Sequence, residues 1–324
     1  MARPAIAPVV WQPPAAPDRA RRSRSSRPLP RLTLLDVVGR GPEDVLVDAS
    51  GRIVTGVADG RILRLAPDGR LLEVIADTGG RPLGLEWLPG GDVLVCDARR
   101  GLLRVSPDTG AVETLAEGFA FCNNAAVATD GTIYFTDSTD RLGIDHWKGE
   151  ILQHSGSGRL LRRGLGAETT VLLDGLEFAN GAALAPDQSF LVVAETSAYR
   201  LRRWSVVDGT SSVFVDNLPG FPDNVSLGSD GLFWVALASG RNALLDRLLP
   251  KAPVLRKAVW ALPSRFQPRE AHTVWVQAYD PSGRLVHDLQ APGERFGVVT
   301  GVREVDGLVV LGSLTADCVA YLSL

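Results

Sequence analysis

Four oxygen-bearing side chains recur at one place in an internal repeat, and that place could hold a hard cation. Six turns punctuate the chain at Ser50-Gly51, Gly90-Gly91, Asp130-Gly131, Asp187-Gln188, Asp230-Gly231 and Asp306-Gly307. Counting back eight residues from the second residue of each turn gives Glu43, Leu83, Asn123, Asn180, Asp223 and Val299. Two carboxylates and two amide carbonyls converging on one axis form an oxygen-only ligand set. With no Cys or His in it, such a set suits Ca2+ better than Zn2+, and another divalent cation could meet the same donors. Mg2+ demands stricter octahedral geometry and keeps more water. Asn224, beside Asp223, either adds a ligand or orients the others. The competing reading is that Asn and Asp at strand starts satisfy turn backbone. That accounts for single residues but poorly for four in register.

A second set of acids, Asp97, Asp137 and Glu195, falls six or seven residues after its turns. These acids either face the same pocket as general base or substrate-orienting groups, or cap the turns that follow them. Trp147, Trp234, Leu83 and Thr300 are expected to line the pocket. Arg241 is placed to hold a substrate carboxylate or, equally, a surface acid.

Such residues converge only if the repeat closes on itself. Each turn is flanked by short β-branched and aromatic runs, as in "EDVLVDASGRIVTGV" and "NVSLGSDGLFWVAL". The first three turns are 40 residues apart, and later units carry insertions. Four strands per unit, six times over, predict an all-β, six-bladed propeller with four-stranded blades. The last unit lacks an outer strand, which "RLTLLDVV" near the N-terminus can supply. The expected organisation is an N-terminal extension over residues 1–29, partly disordered or strapped to the body, and a propeller over 30–324. Two long loops, about 139–158 and 239–272, fall on one face. The second has helical apolar spacing and predicts a short helical insertion capping that face.

Composition excludes other classes. The chain has 324 residues, is 45% hydrophobic and 22% charged, and carries a formal net charge of -3. That is globular material with no footprint for nucleic acid. No apolar run reaches the roughly 20 residues of a membrane span. The expected partner is therefore a small-molecule substrate, with neither nucleic acid nor membrane, and oligomeric state is not legible. Cys96, Cys122 and Cys318 have no metal or redox spacing and read as buried thiols of a reducing, cytoplasmic protein. Lysine occurs only at 148, 251 and 257 beside abundant arginine, a pattern of GC-rich bacterial coding.

The phrases "GPEDVLVD", "GRPLGLEW", "GTIYFTDS", "GLEFANGAALAPD", "LPGFPDNVS" and "REVDGLVVLGSL" resemble the strictosidine-synthase-like group of six-bladed propellers. That group is similar to the wider gluconolactonase, regucalcin and paraoxonase superfamily. The resemblance implies a central-channel cation, usually Ca2+, held by Glu43, Asn123, Asn180 and Asp223 with Asn224 close by. In paraoxonases it also implies a second, structural calcium near Asp44 and Asn124, although Asn124 stands where an acid is usual. The paraoxonase histidine pair would fall at Leu83 and Asp97, and neither is His. The glutamate that strictosidine synthase uses at the start of its last blade is absent from "VVTGV", which carries Val299 and Thr300. The expected activity is hydrolysis of a lactone or carboxylic (aryl) ester, the cation polarising the carbonyl and an Asp activating water. The alternatives are a non-catalytic ligand-binding propeller with a structural cation and a strictosidine-synthase-like C–N condensing enzyme.

Overall fold

The computed structural model describes residues 3–164, 166 and 168–324. Six four-stranded antiparallel sheets stand around a central channel. Blade 1 runs from Val45–Val47 to Leu71–Asp77, blade 2 from Pro82–Trp87 to Val112–Ala116, and blade 3 from Cys122–Val127 to Thr169–Leu176. Blade 4 runs from Ala179–Leu184 to Ser211–Val215, and blade 5 from Gly220–Leu227 to Leu285–Pro292. Blade 6 comprises Val299–Val305, Leu308–Ser313 and Cys318–Ser323, with Thr33–Asp36 as its outer strand. Thr33 pairs with Tyr321 and Asp36 with Cys318, so the two ends of the chain close the ring.

Strand periodicity explains how the blades stack. Successive side chains point to opposite faces of a sheet, and in a propeller both faces meet a neighbouring blade. On the second strand of blade 5, Phe233 and Val235 therefore pack toward blade 4, while Trp234 and Ala236 pack toward blade 6. Six apolar clusters fill the six interfaces between blades. All three cysteines are buried and free within this packing.

Two insertions cover one end of the channel. The first carries helix α1 (Trp147–Gln153); the second carries α2 (Ala243–Leu248) and α3 (Pro253–Ala261). Leu142, Leu152, Leu245, Leu249 and Trp260 weld them into one cap, and Ile6 from the N-terminus joins that cluster. The N-terminal segment is a strap. The Val9 amide donates to the Gln153 carbonyl at 2.9 Å, and the Trp260 indole to the Pro4 carbonyl at 2.8 Å. Further on, Arg19 pairs with Asp288 and lies 4.6 Å from the Trp275 ring centroid, so the strap then descends the flank of blade 5.

Candidate functional site

The inner strands owe their functional geometry to a repeated bulge. In blades 2 to 6 two inner-strand residues oppose one on the neighbouring strand, between Pro82/Leu85, Cys122/Ala125, Ala179/Ala182, Pro222/Val225 and Val299/Val302. A bulge leaves the extra residue unpaired and re-aims its side chain. Two consecutive residues are thereby released at one level: Leu83-Gly84, Asn123-Asn124, Asn180-Gly181, Asp223-Asn224 and Thr300-Gly301. The sixth position of the ring is thus Thr300, and the expectation of Val299 is corrected by one residue. The glycines are required by close approach: a Cβ on Gly181 would lie 2.1 Å from the Val225 nitrogen.

The released residues build the floor of a cavity of about 150 Å³. Glu43, Leu83, Asn123, Asn180, Asp223 and Thr300 all line it, and Trp147 stands in its wall. Asn224 lies just behind the floor, its amide nitrogen 3.3 and 3.4 Å from the two Glu43 oxygens. The Asn123 amide nitrogen donates to Ser138 Oγ at 2.8 Å, and Asn180 bonds to the Asp223 side chain. Thr300 Oγ1 donates to the Glu43 carbonyl at 2.8 Å. The nitrogens of Asn123 and Asn224 are therefore engaged, while the Oδ1 atoms of Asn123, Asn180 and Asn224 are buried without a hydrogen-bond partner. A buried orphan acceptor costs about 1–3 kcal/mol. Three around one cavity floor, beside two carboxylates, could hold an oxygen-loving cation.

The charges at the floor lead to the same reading. Burial pushes the Glu43 carboxyl well above its usual range, helped by the nearby Asp223 and Asp44, while Arg81 and Asn224 pull it down. Burial likewise raises Asp223 to about 8. Asp223 is only partly buried and lines the cavity. No group of three or more His, Cys, Asp or Glu that could hold a metal exists among the described residues, so a cation here must also take amide oxygens. The residues expected around a second cation, Asp44 and Asn124, serve the backbone of neighbouring strands. Asp44 already accepts from the amides of Val45 and Leu85 at 2.9 and 3.0 Å, and Asn124 Oδ1 from that of Ala182 at 3.0 Å.

Five expected site residues lie elsewhere. Asp97 accepts the amides of Arg81, Arg99 and Arg100 and the Thr78 hydroxyl, at 2.7–3.0 Å. Asp137 accepts the Phe121 amide and Arg159; Glu195 accepts the Glu177 amide, Arg200 and Arg202. All three are buried and pin the turns that lead into and out of their blades, which leaves them no place in the cavity wall. Trp234 is buried between blades 5 and 6, stacked on His287, because its strand position points sideways. Arg241 holds the Leu218 and Pro14 carbonyls at 2.8 and 2.9 Å and lies over Tyr199, so it anchors the strap and no substrate.

The cavity walls contain residues that the sequence reading did not single out. Phe121, Phe178, Phe221 and Val298 line it, each two residues before a ring position. The two-residue strand period was a signal that could have found them. Ile151, Leu152 and Leu245 descend from the cap, and Lys148 meets Glu270 at 2.7 Å across the rim. The result is an apolar chamber with a polar oxygen floor.

The strictosidine synthase profile matches residues 123–208, and the strictosidine synthase-like N-terminal profile residues 28–65. The adipocyte plasma membrane-associated protein of Rattus norvegicus is 36% identical over 269 residues, covering 76% of this chain and 71% of that protein. Protein strictosidine synthase-like 6 of Arabidopsis thaliana is 34% identical over 289 residues, covering 83% and 78%. A gluconolactonase from Xanthomonas campestris shares the fold with a TM-score of 0.66 at 20% identity, covering 99% of both chains. A calcium-binding regucalcin from Agrobacterium tumefaciens does so with a TM-score of 0.62 at 15% identity, covering 89% and 94%. The repeat, the bulged ring and these relatives agree, and the chain belongs to the strictosidine-synthase-like family of six-bladed propellers.

Proposed function

We propose that the protein is a Ca2+-dependent hydrolase of a lactone or carboxylic (aryl) ester. The observation that carries this reading is the floor: three orphan amide oxygens and two carboxylates beneath an apolar, capped chamber. Glu43, Asn123, Asn180, Asp223 and Asn224 would hold the cation. Bound there, it supplies Lewis-acid polarisation of a carbonyl and charge to offset an oxyanion. Asp223 is the acid at the floor with surface open to the cavity, and it takes a proton from water beside the carbonyl. Leu83, Trp147, Phe121 and Phe178 enclose the acyl or aryl group and exclude bulk water.

A second reading has one observation in its favour. Among the described residues the acids on the floor are Glu43 and Asp223, and both would be cation ligands, which would leave no separate base. This suits a ligand-binding propeller whose cation is structural. Hydrolysis of a panel of lactones and aryl esters, with Ca2+ and with chelator, separates the two. Turnover that vanishes with chelator, returns with Ca2+ and is abolished by Asp223→Ala in a folded protein supports the hydrolase. Full activity in Asp223→Ala would sink it, and no turnover on any member moves the assignment to the binding reading.

A further inference from the structure

The cap carries a pattern that the cavity does not use. Between residues 243 and 269 the one acid is Asp246, against the cations Arg247, Lys251, Arg256, Lys257, Arg265 and Arg269. Asp246 is engaged, accepting the Tyr199 hydroxyl at 2.8 Å. Arg256 is buried and holds the carbonyls of Leu152 and Val9 at 2.9 and 2.6 Å. The other five cations are exposed. The whole chain has a net charge of -3, so this face opposes the sign of the rest.

Large apolar side chains stand among these cations. Val254 is 65% exposed, Phe266 62%, Leu244 53%, Leu255 45% and Leu262 41%. The strap adds Val9 and Val10, held beside α3 through the bond from Arg256 to the Val9 carbonyl. These seven are nearly half of the sixteen large apolar side chains exposed among the described residues. The remaining nine are scattered singly or in pairs over other strands and turns. Single exposed apolar residues need no explanation, but a cluster ringed by one sign of charge marks an interaction surface.

We propose that the outer face of the cap and strap docks on an anionic phospholipid surface. Val254, Leu255 and Phe266 enter the headgroup boundary, and Arg247, Lys251, Lys257, Arg265 and Arg269 meet the lipid charge. Charge complementarity selects this occupant. A second copy of the chain would set two cationic faces against each other with no free acid to relieve them. Gln267, Pro268 and Arg269 also line the cavity, so docking turns its mouth toward the lipid. This departs from the sequence expectation of no membrane partner. The surface exists only once the strap and both short helices are folded side by side. Docking here does not depend on the hydrolase reading.

The test is co-sedimentation of the full chain with vesicles of phosphatidylcholine alone or containing about 30% phosphatidylserine. At least about tenfold more protein should bind the anionic vesicles at low salt, and high salt should reverse this. The paired variants Val254→Asp/Phe266→Asp and Lys251→Glu/Lys257→Glu should fall to the neutral-vesicle level. Val207→Asp/Val213→Asp, on exposed positions of blade 4, should bind like the parent. All these sites are exposed, and an unchanged melting temperature verifies folding. Equal binding to both vesicles, no binding, or binding indifferent to the cap variants overturns the proposal. Self-association abolished by the cap variants, without lipid binding, would reassign the face to a second copy and also overturn it.

Discussion

Consider the thermal response of the protein to Ca2+ and its loss in Asp223→Asn. A ligand that binds only the folded state stabilises it by about 2.7 kcal/mol at a concentration of one hundred times its Kd. Unfolding entropy is about 2.1 cal/mol/K per residue, so the 324 residues give about 0.7 kcal/mol/K. The melting temperature should therefore rise by about 4 °C. Asp223→Asn removes one of two buried carboxylates from the cradle. Losing one member of a buried charge pair costs about 3 kcal/mol, or about a hundredfold in Kd. At the same Ca2+ concentration the variant should show less than about 1 °C of shift. Without Ca2+ the sign reverses: the variant relieves the repulsion between Glu43 and Asp223 and should melt above the parent. Differential scanning calorimetry with chelator and with Ca2+ reads both effects. An equal Ca2+ shift in parent and variant, or none in the parent, would refute the floor as a cation site.

Other outcomes follow from groups outside the floor. Asp97→Ala strips an acceptor from three backbone amides and should cost about 3 kcal/mol, lowering the melting temperature by about 4 °C, with Ca2+ response retained. Burial pushes the Glu177 carboxyl from 4.5 to about 7, against the Gly156 amide that donates to it. The folded state then binds more protons than the unfolded one, so this group makes stability fall as pH rises from about 4.5 to about 7. Glu177→Gln should remove that slope and be the more stable protein at pH 8 by up to about 3 kcal/mol, as read by denaturant titration across pH. Deleting residues 1–12 removes one carbonyl partner of Arg256, at Val9, and the Pro4 carbonyl that the Trp260 indole holds. Limited proteolysis should then cut within 241–272 while the blades stay intact; an uncut cap would show that the strap holds nothing.

The fold was legible because a propeller writes its repeat into turn spacing. That Glu43, Asn123, Asn180 and Asp223 share one cavity floor was legible for the same reason, as equivalent positions in a closed ring share a level. The blade 6 offset shows where counting fails. Val305 pairs with Leu308, so this hairpin turns on two residues, and Asp306 and Gly307 have φ of 50° and 82°. Val47 pairs with Ile53 in blade 1 across a longer loop, and a count from the turn therefore slips by one between them. Residue type also misled. Asp97, Asp137 and Glu195 resemble catalytic acids, but carboxylates at a strand end are equally good acceptors for loose amides, and only the hydrogen-bond partners decide. Trp234 and Arg241 depended on facing direction and on the path of the strap, which no local pattern encodes.

The outer strand of blade 6 also bears on synthesis. Thr33–Asp36 emerges early, yet its partner Cys318–Ser323 follows about 290 residues later. At translation speeds of roughly 5–20 residues per second, that delay is about half a minute. By the end of it the nascent chain carries five blades that cannot shut, and throughout it a strand edge has nothing to pair with. The ribosome-bound protein is therefore exposed to mispairing until Cys318–Ser323 has emerged. A chain truncated at either end would share that vulnerability permanently, and would be a substrate for chaperones and proteases.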